Sequence, residues 1–333
     1  MQQLAVKEKS KVRKQVRLLL PQRWERKNIS VKAKVTPTVP QTTKPVEQPT
    51  TKPVEQPTTK PTEQPKTEEP TTEDLGDSGE DWIVKSTSNK CWIQEYVGTE
   101  MNIVIPGKIQ GKTVVGIENS AFEGNEKITS VTISNGVTSI GDGAFSGCNS
   151  LASVTIPSSV TSIGNGAFYG CYNLENITIS NGVTSIGNGA FGDCNNLTNI
   201  TIPNSVTNIG YGAFKYCKKL SNIELPSSIT IVNENVFHGC SSLMSVVIPR
   251  GVKTIGVGAF SDCISLTEVN IPDGVEKIEG YAFRNCTSLR NIIIPNSLVS
   301  MHIKAFEGCS NLLNIKYPEG ATIEEGEPPT HAW

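Results

Sequence analysis

The sequence has few of the side chains on which most enzymes depend. Histidine occurs three times, at His238, His302 and His331, and none of these has a cysteine or an aspartate at a repeated spacing. Neither a Walker motif nor a dinucleotide-binding motif is present. Catalysis requires a nucleophile or a base with a positioned partner. The sequence therefore predicts a protein that is not an enzyme and that holds no metal ion and no cofactor.

Long hydrophobic runs are missing as well. No segment approaches the roughly 20 apolar residues of a membrane-spanning helix. The longest apolar run near the start, Leu18 to Leu20, is shorter than the roughly 7–15 residues of a signal-peptide core. We therefore expect no membrane span, and no signal peptide is visible. Only 37% of the 333 residues are hydrophobic, which argues against two ordinary globular cores.

Two segments of unusual composition come first. Residues 1–34 hold eleven Lys and Arg against two Glu, so this stretch carries +9 and the remainder −11. A solvated tail is favoured over an arm for nucleic acid or anionic lipid, because no motif or aromatic pattern accompanies the charge. From Thr42 the octamer TTKPVEQP repeats, with a proline at every fourth position. Such a segment cannot fold, and we interpret it as a semi-rigid stalk rather than an inert tether.

A strict repeat dominates the rest of the chain. Nine phenylalanines are each separated by 23 residues: Phe122, Phe145, Phe168, Phe191, Phe214, Phe237, Phe260, Phe283 and Phe306. Eight cysteines keep the same spacing: Cys148, Cys171, Cys194, Cys217, Cys240, Cys263, Cys286 and Cys309. A residue type that recurs so regularly occupies one position in a stack of equivalent turns.

A single turn indicates how the repeat folds. Leu151, Val154 and Ile156 have the L-x-x-L-x-L spacing of a leucine-rich-repeat strand. Strand alternation directs Val154 and Ile156 inward, and the chain turns at Pro157, because proline cannot continue a ladder. The predicted fold is a β-rich leucine-rich-repeat solenoid of about ten turns with parallel strands and a short helical or irregular convex side, preceded by a disordered tail.

The full pattern, I-P-x-x-V-x-x-I-G-x-x-A-F-x-x-C-x-x-L-x-x-V-x-I, covers about residues 100–318. It closely resembles the BspA-like family of leucine-rich repeats, which is found in surface proteins of bacteria and some protists. The resemblance implies a role in attachment to host proteins or to other cells. Together with the Pro/Thr linker, it also implies an extracellular or cell-surface location.

The ends of the repeat array depart from the pattern. The first turn is five residues longer than the others between its Ile-Pro pair and Phe122. The last turn has Met301 and Lys304 at positions that are otherwise regular, which indicates a cap or a degenerate repeat. Apolar residues alternate from Trp82 to Gln94. We expect this segment to pair as an N-terminal cap, because an open solenoid end exposes unpaired strand edges.

The sixth turn departs from the pattern inside the array. From Val232 to Phe237 it has lost both glycines and the alanine of the other turns. His238 follows at a position that holds Ser, Tyr, Lys or Arg in other turns. Since this position varies so freely, we expect His238 to be exposed.

The cysteine column admits three interpretations. Zinc ligands come in C-x₂₋₄-C pairs that converge from different directions, whereas one cysteine per turn points every thiol the same way. Neighbouring strands about 4.8 Å apart permit disulfides by distance, but parallel side chains make the required dihedral awkward. We therefore predict a structural column of buried thiols, with disulfides as the alternative. Cys91 lies outside the column and is the candidate for an exposed thiol.

The outward face of the first strand in each turn is the predicted binding face. Two columns there are small and uncharged in the first half of the array and mixed in the second half. Solenoids usually bind through their concave surface, although stacked Thr and Asn are also simply good strand surface. The candidate residues are Thr132, Thr155, Thr178, Thr201, Glu224, Val247, Asn270, Ile293 and Lys316 in one column, and Asn222, Ser245, Glu268, Asn291 and Asn314 in the other.

These features predict a non-catalytic binding module for cell-surface adhesion or protein–protein recognition. The expected partner is a protein of the extracellular matrix or of another cell's surface. A glycan is a second candidate, although the two columns lack aromatic residues for sugar stacking. The alternatives are a structural or scaffold surface protein and a carbohydrate-associated accessory module. We expect no nucleic-acid partner, and a monomer.

The predicted organisation has five parts: a basic disordered tail over 1–35, a disordered Pro/Thr-rich linker over 36–75, an N-terminal cap over 76–104, the solenoid over 105–318, and a C-terminal cap or tail over 319–333.

Overall fold

A computed structural model describes residues 79–312 and 315–326. The predicted tail over 1–35 and linker over 36–75 lie outside the described residues. The described part is a parallel-strand β-solenoid of about ten turns, as the repeat predicted. Of the two predicted forms of the convex side, the irregular one is present, because the described residues contain strands and turns and no helix.

Each complete turn contributes two strands to two separate ladders. The chain begins with β1 (Trp82–Ser86) and β2 (Lys90–Tyr96), followed by β3 (Asn102–Ile105), β4 (Lys108–Ile109) and β5 (Lys112–Ile117). The first ladder contains β3, β6 (Ser130–Ile133), β8 (Ser153–Ile156), β10 (Asn176–Ile179), β12 (Asn199–Ile200), β14 (Asn222–Glu224), β16 (Ser245–Val247), β18 (Glu268–Asn270) and β20 (Asn291–Ile293). The second contains β5, β7 (Ser139–Ile140), β9 (Ser162–Ile163), β11 (Ser185–Ile186), β13 (Asn208–Ile209), β15 (Ile231–Val232), β17 (Thr254–Ile255), β19 (Lys277–Ile278), β21 (Ser300–His302) and β22 (Thr322–Glu324).

The register of both ladders follows the 23-residue period. Val154 on β8 pairs with Ile177 on β10, and Ile163 on β9 pairs with Ile186 on β11. Pairing in the first ladder stops between β12 and β14, and in the second between β13 and β15. Both interruptions fall between the same two turns, so each ladder consists of two segments.

A stack of phenylalanine rings runs through the core. Adjacent ring centroids lie 4.5 Å apart for Phe122 and Phe145 and 5.6 Å apart for Phe214 and Phe237, with nearly parallel planes. Rings from Phe145 to Phe283 are fully buried. Truncating one such ring to alanine costs about 3–5 kcal/mol in a packed core, so the stack is a main source of stability between turns.

Glycine lets consecutive turns approach closely beside the second ladder. A Cβ atom on Gly164 would lie 2.5 Å from the carbonyl carbon of Gly141, in the preceding turn. The backbone amide of the glycine in this column donates a hydrogen bond to the preceding turn, as Gly210 N does to Ile186 O over 2.8 Å. Asn233 stands in this column in the sixth turn, and its side-chain Nδ2 donates instead to Ile209 O over 2.7 Å. At the interruption of the second ladder, a side-chain hydrogen bond thus takes the place of the backbone bond of this column.

The two ends are covered by strands. β1 and β2 form an antiparallel hairpin, and β2 pairs in parallel with β5 of the first turn. Trp82 on this hairpin lies 4.8 Å from Tyr96 and 6.3 Å from Phe122 between ring centroids, so the hairpin extends the aromatic stack. The longer first turn accommodates the two-residue strand β4, which pairs antiparallel with β5. At the other end, β22 pairs in parallel with β21.

The expectation of an exposed Cys91 was wrong. Cys91 lies on β2 and is 0% exposed. Its position on the hairpin directs the thiol towards the first turn, where its sulfur lies 3.8 Å from Lys112 O. Spacing alone gave no sign of this, because Cys91 does not belong to the 23-residue column.

Candidate functional site

The candidate site lies on the outer face of the first ladder, where side chains alternate out of the core. On β16, β18 and β20 the register places Val247, Asn270 and Ile293 side by side in one column. Val247 is 59% and Ile293 75% exposed, the highest exposure among the large apolar residues on this face. The same column holds threonine in the earlier strands, such as Thr155 on β8. Two aliphatic side chains thus face solvent where the fold accepts a hydroxyl.

The adjacent column is polar and equally open. Ser245, Glu268 and Asn291 are neighbours in register, and all three are exposed. Ser245 Oγ donates to Asn222 Oδ1 over 2.9 Å. The second half of the face therefore presents carboxylate, amide and hydroxyl groups beside the aliphatic pair.

Some predicted residues lie at the margins of this face. Thr201 follows the end of β12, and Lys316 lies after β20, the last strand of the ladder, with an exposed side chain. Asn314 lies outside the described residues. Glu224 on β14 begins the second segment of the ladder and is exposed. The structure thus places Glu224, Asn270 and the aliphatic pair on one continuous segment.

A shallow groove of about 620 Å³ borders this face. It is formed by the residues that precede the strands: Thr198, Lys219, Ser221, Ser242, Met244, Ser265, Thr267 and Ser288. Met244, 49% exposed, lies directly before β16 and adds a third exposed apolar side chain at the border of the face. Sequence reasoning missed the groove, although its signal was available in the variable positions between the repeat leucine and the strand.

The groove is lined by hydroxyl groups, one cation and the side chain of Met244. Lys219 is the single charged residue among the lining side chains. Glu224 and Glu268 lie on the neighbouring strand face and carry the opposite charge. The site therefore combines an apolar centre with polar and charged surroundings of both signs.

The cysteine column is a line of buried free thiols. Each thiol donates to the carbonyl oxygen of a phenylalanine 26 residues earlier, as Cys171 Sγ does to Phe145 O over 3.1 Å. Burial raises the pKa of Cys240 to about 12. Burial also raises the pKa of Cys194, Cys217 and Cys263, so these thiols are protonated and inert at neutral pH, because the thiolate is the reactive form.

The expectation of an exposed His238 was also wrong. His238 is 8% exposed. Its Nε2 lies 3.0 Å from Tyr216 Oη, and its Nδ1 lies 3.5 Å from Asp262 Oδ2. Burial lowers the pKa of His238, Asp262 opposes this effect, and Lys215 and Arg284 add to it. The imidazole is a buried link between side chains of the turns before and after it.

A variable column does not imply exposure when a neighbouring turn supplies cover. Tyr216 lies 22 residues before His238 and keeps a left-handed φ of 60°. Its position holds glycine in several other turns, such as Gly147 and Gly170. A tyrosine in a glycine position was the signal that the surroundings of His238 differ from those of other turns.

Within residues 79–312 and 315–326, no group of three or more His, Cys, Asp or Glu side chains is arranged to hold a metal ion. In the same part of the chain, no helix is long and apolar enough to cross a membrane.

Comparison with known proteins places this geometry in a family. The model of the BspA type leucine-rich repeat region matches residues 115–244 and 231–326, with six copies. A comparison with curated proteins gave no match. Among solved structures, a leucine-rich repeat protein of T. pallidum (TpLRR) is 30% identical with a TM-score of 0.55, over 58% of this chain and 91% of that one.

A leucine-rich repeat protein of Bacteroides ovatus is similar in fold. It has a TM-score of 0.50 at 23% identity, over 74% of this chain and 88% of that one. The family match extends over more than half of the 333 residues and falls on the turns whose strands, phenylalanine stack and cysteine column are described above. The chain belongs to the BspA-type leucine-rich-repeat proteins.

Proposed function

We propose that this protein is a non-catalytic binding module of the cell surface, and that the second half of its outer strand face contacts a protein partner. Membership of the leucine-rich-repeat family supports a protein-binding role. The partner we expect is a protein of the extracellular matrix or of another cell's surface. In this proposal the Pro/Thr-rich linker over 36–75 is the stalk that holds the solenoid away from its attachment.

The exposure of Val247 and Ile293 carries the proposal. Both side chains point to solvent from a column that holds threonine on β6, β8 and β10. The side chain of Ile293 is 75% exposed and therefore does not take part in the packing of the core. Burying the two side chains against a partner would contribute about 1.5–3 kcal/mol each. The residues are two strands apart, so one partner surface reaches both.

The surroundings of the pair match the anatomy of a protein interface. Such interfaces have an apolar centre and a polar rim, and a few central residues supply most of the binding energy. Here Met244 and the groove lie on one side, and Glu268 and Asn291 lie in the adjacent column. The uniform first half of the face has no comparable centre.

The test is capture of purified extracellular-matrix proteins by the full chain. The test variant is Val247→Thr with Ile293→Thr, which restores the residue of the earlier turns and leaves the fold intact. The matched control is Thr155→Val with Thr178→Val in the same column of the first half. We expect the test variant to weaken capture at least about tenfold, and the control to leave it unchanged.

Equal capture by the wild type and the test variant would place the binding surface elsewhere. If the wild type captures no matrix protein or cell-surface protein and instead assembles with itself, the structural or scaffold alternative gains the support. If it captures only glycans, the accessory-module alternative is favoured.

A further inference from the structure

One tyrosine in the turn segment of the third repeat is exposed and held in a fixed orientation. Tyr169 directly follows Phe168 of the buried stack, and its side chain is 46% exposed. Tyr172, three residues later, is 49% exposed. Both lie in the segment after the second-ladder strand β9, apart from the strand face described above.

The next turn makes room for the ring of Tyr169. In the position after the repeat phenylalanine, Gly192 is the single glycine; the other turns have Glu123, Ser146, Tyr169, Lys215, His238, Ser261, Arg284 and Glu307. A Cβ atom on Gly192 would lie 2.9 Å from Cδ2 and 3.1 Å from Cε2 of Tyr169. Gly192 has no left-handed φ, so its own backbone does not require glycine. Glycine here serves the neighbouring ring, which lies against the backbone of the next turn.

A carboxylate in the next turn influences the other end of the ring. Interaction with the Asp193 carboxylate, together with burial, raises the pKa of Tyr169. Asp193 has a left-handed φ of 59° at a position where Gly147 and Gly170 serve other turns. Tyr216, Asp262 and Asn285 have a left-handed φ at the same position of later turns, so this conformation belongs to the repeat.

The surroundings of Tyr169 are polar. Among the exposed large apolar residues, none that is aliphatic lies between Val104 and Ile231. The tyrosine pair is instead bordered by Gly170, Gly192 and the Asp193 carboxylate. This setting lacks the apolar centre of a protein interface, in contrast to the face around Val247.

We propose that Tyr169, Tyr172 and Asp193 form a binding site for a neutral saccharide chain. The open face of a fixed aromatic ring packs against the C–H face of a sugar, since the ring face is electron-rich and the C–H hydrogens are weakly positive. The carboxylate accepts hydrogen bonds from sugar hydroxyl groups. Its negative charge favours neutral chains over acidic ones.

The test is native affinity electrophoresis of the full 333-residue chain in gels that contain soluble neutral polysaccharides. The probes are a β-glucan, a xylan, a galactomannan and a mannan. We expect at least one of them to retard the wild type, and Tyr169→Ala to weaken that binding at least about tenfold. Gly192→Val, which leaves Tyr169 in place but displaces its ring, is expected to weaken it similarly.

Two controls separate this site from other effects. Tyr317→Ala removes an equally exposed tyrosine, 51% exposed, outside the site and should leave retardation unchanged. Val247→Thr with Ile293→Thr should also leave it unchanged, so that failure of the protein-binding proposal is seen separately. Circular dichroism and thermal unfolding of each variant verify the fold.

Three results would overturn the saccharide site. These are a wild type that none of the polysaccharides retards, a folded Tyr169→Ala variant that binds as the wild type does, and an equal loss of binding in Tyr317→Ala. Loss of capture of a matrix protein in Tyr169→Ala, without any retardation of the wild type, would assign these tyrosines to a protein partner instead.

Discussion

Adding one methyl group to the glycine column of the second ladder should destabilise the solenoid by an amount that depends on the turn. Gly164→Ala places a Cβ atom 2.5 Å from Gly141 C and 2.6 Å from Asp142 N. Both contacts are to backbone, which cannot rotate away as a side chain can. Gly256 occupies the same column, but its Cβ would be 2.9 Å from the nearest atoms of Asn233 and Glu234.

The difference between the two positions follows from the packing. Overpacking a well-packed interior costs about 1–3 kcal/mol, and occasionally more. Replacing glycine by alanine returns about 0.4–1 kcal/mol by restricting the unfolded chain. Because Gly164→Ala makes two backbone contacts near 2.5 Å, we expect it to lower the free energy of unfolding by about 3 kcal/mol, the upper end of the range for overpacking. Gly256→Ala belongs at about 1–2 kcal/mol, because Asn233 has already opened this part of the column.

The measurement is urea unfolding of the full chain and both variants, followed by circular dichroism. The slope of free energy against urea concentration must be the same in all three, so that midpoints report stability alone. We expect Gly164→Ala to lose at least about 1 kcal/mol more than Gly256→Ala. Equal losses, or a larger loss at Gly256, would refute the argument that close backbone approach sets the residue in this column.

Three further predictions concern other parts of the chain. Cys309 should react first with a thiol reagent on the folded protein, because it is 8% exposed, whereas Cys217 and Cys263 are fully buried and should react only on unfolding. Simultaneous labelling of all three would contradict this. Because burial lowers the pKa of His238 below its ordinary 6.5, the folded state favours the neutral imidazole. The His238 contribution to stability is therefore complete above about pH 6.5 and is lost as the pH falls below it. The difference in Tm between pH 7.5 and 5.5 should thus be smaller in His238→Gln than in the wild type. An unchanged difference would exclude this role. Brief digestion with a glutamate-specific protease should cut after Glu47, Glu55 and Glu63 in the predicted linker and leave a resistant fragment that starts near residue 76. The cut sites are identified by mass spectrometry. If these bonds stay intact while the solenoid is cut, the linker assignment is contradicted.

The fold was predictable because every turn must bury the same residues against its neighbours. A strict 23-residue spacing of Phe and Cys leaves a stack of equivalent turns as the natural arrangement, and the L-x-x-L-x-L spacing identifies the first strand. The residues of the outer face, including Val247 and Ile293, followed from strand alternation alone. Their high exposure is a consequence of the same alternation.

What the sequence could not show depends on contacts between turns that differ. His238 is buried because Tyr216 and Asp262, one turn before and one turn after, cover it. Gly192 looks like one more glycine of a glycine-rich repeat until the ring of Tyr169 is placed beside it. Comparing the residues at one repeat position shows what the turns have in common, whereas these arrangements depend on one particular pair of neighbouring turns.

The interruption shared by both ladders has a mechanical consequence. Between the turns of β12–β13 and β14–β15, the strands do not pair, yet the core continues, with Phe214 and Phe237 centroids 5.6 Å apart and Phe214 N donating to Val236 O over 2.9 Å. A load applied along the solenoid axis is shared there by side-chain packing and turn bonds rather than by two strand ladders. Under tension this junction is the expected point of first separation, and the strands that carry Glu224, Val247 and Ile293 all lie on one side of it. The face formed by these strands would keep its shape while the other half of the array yields.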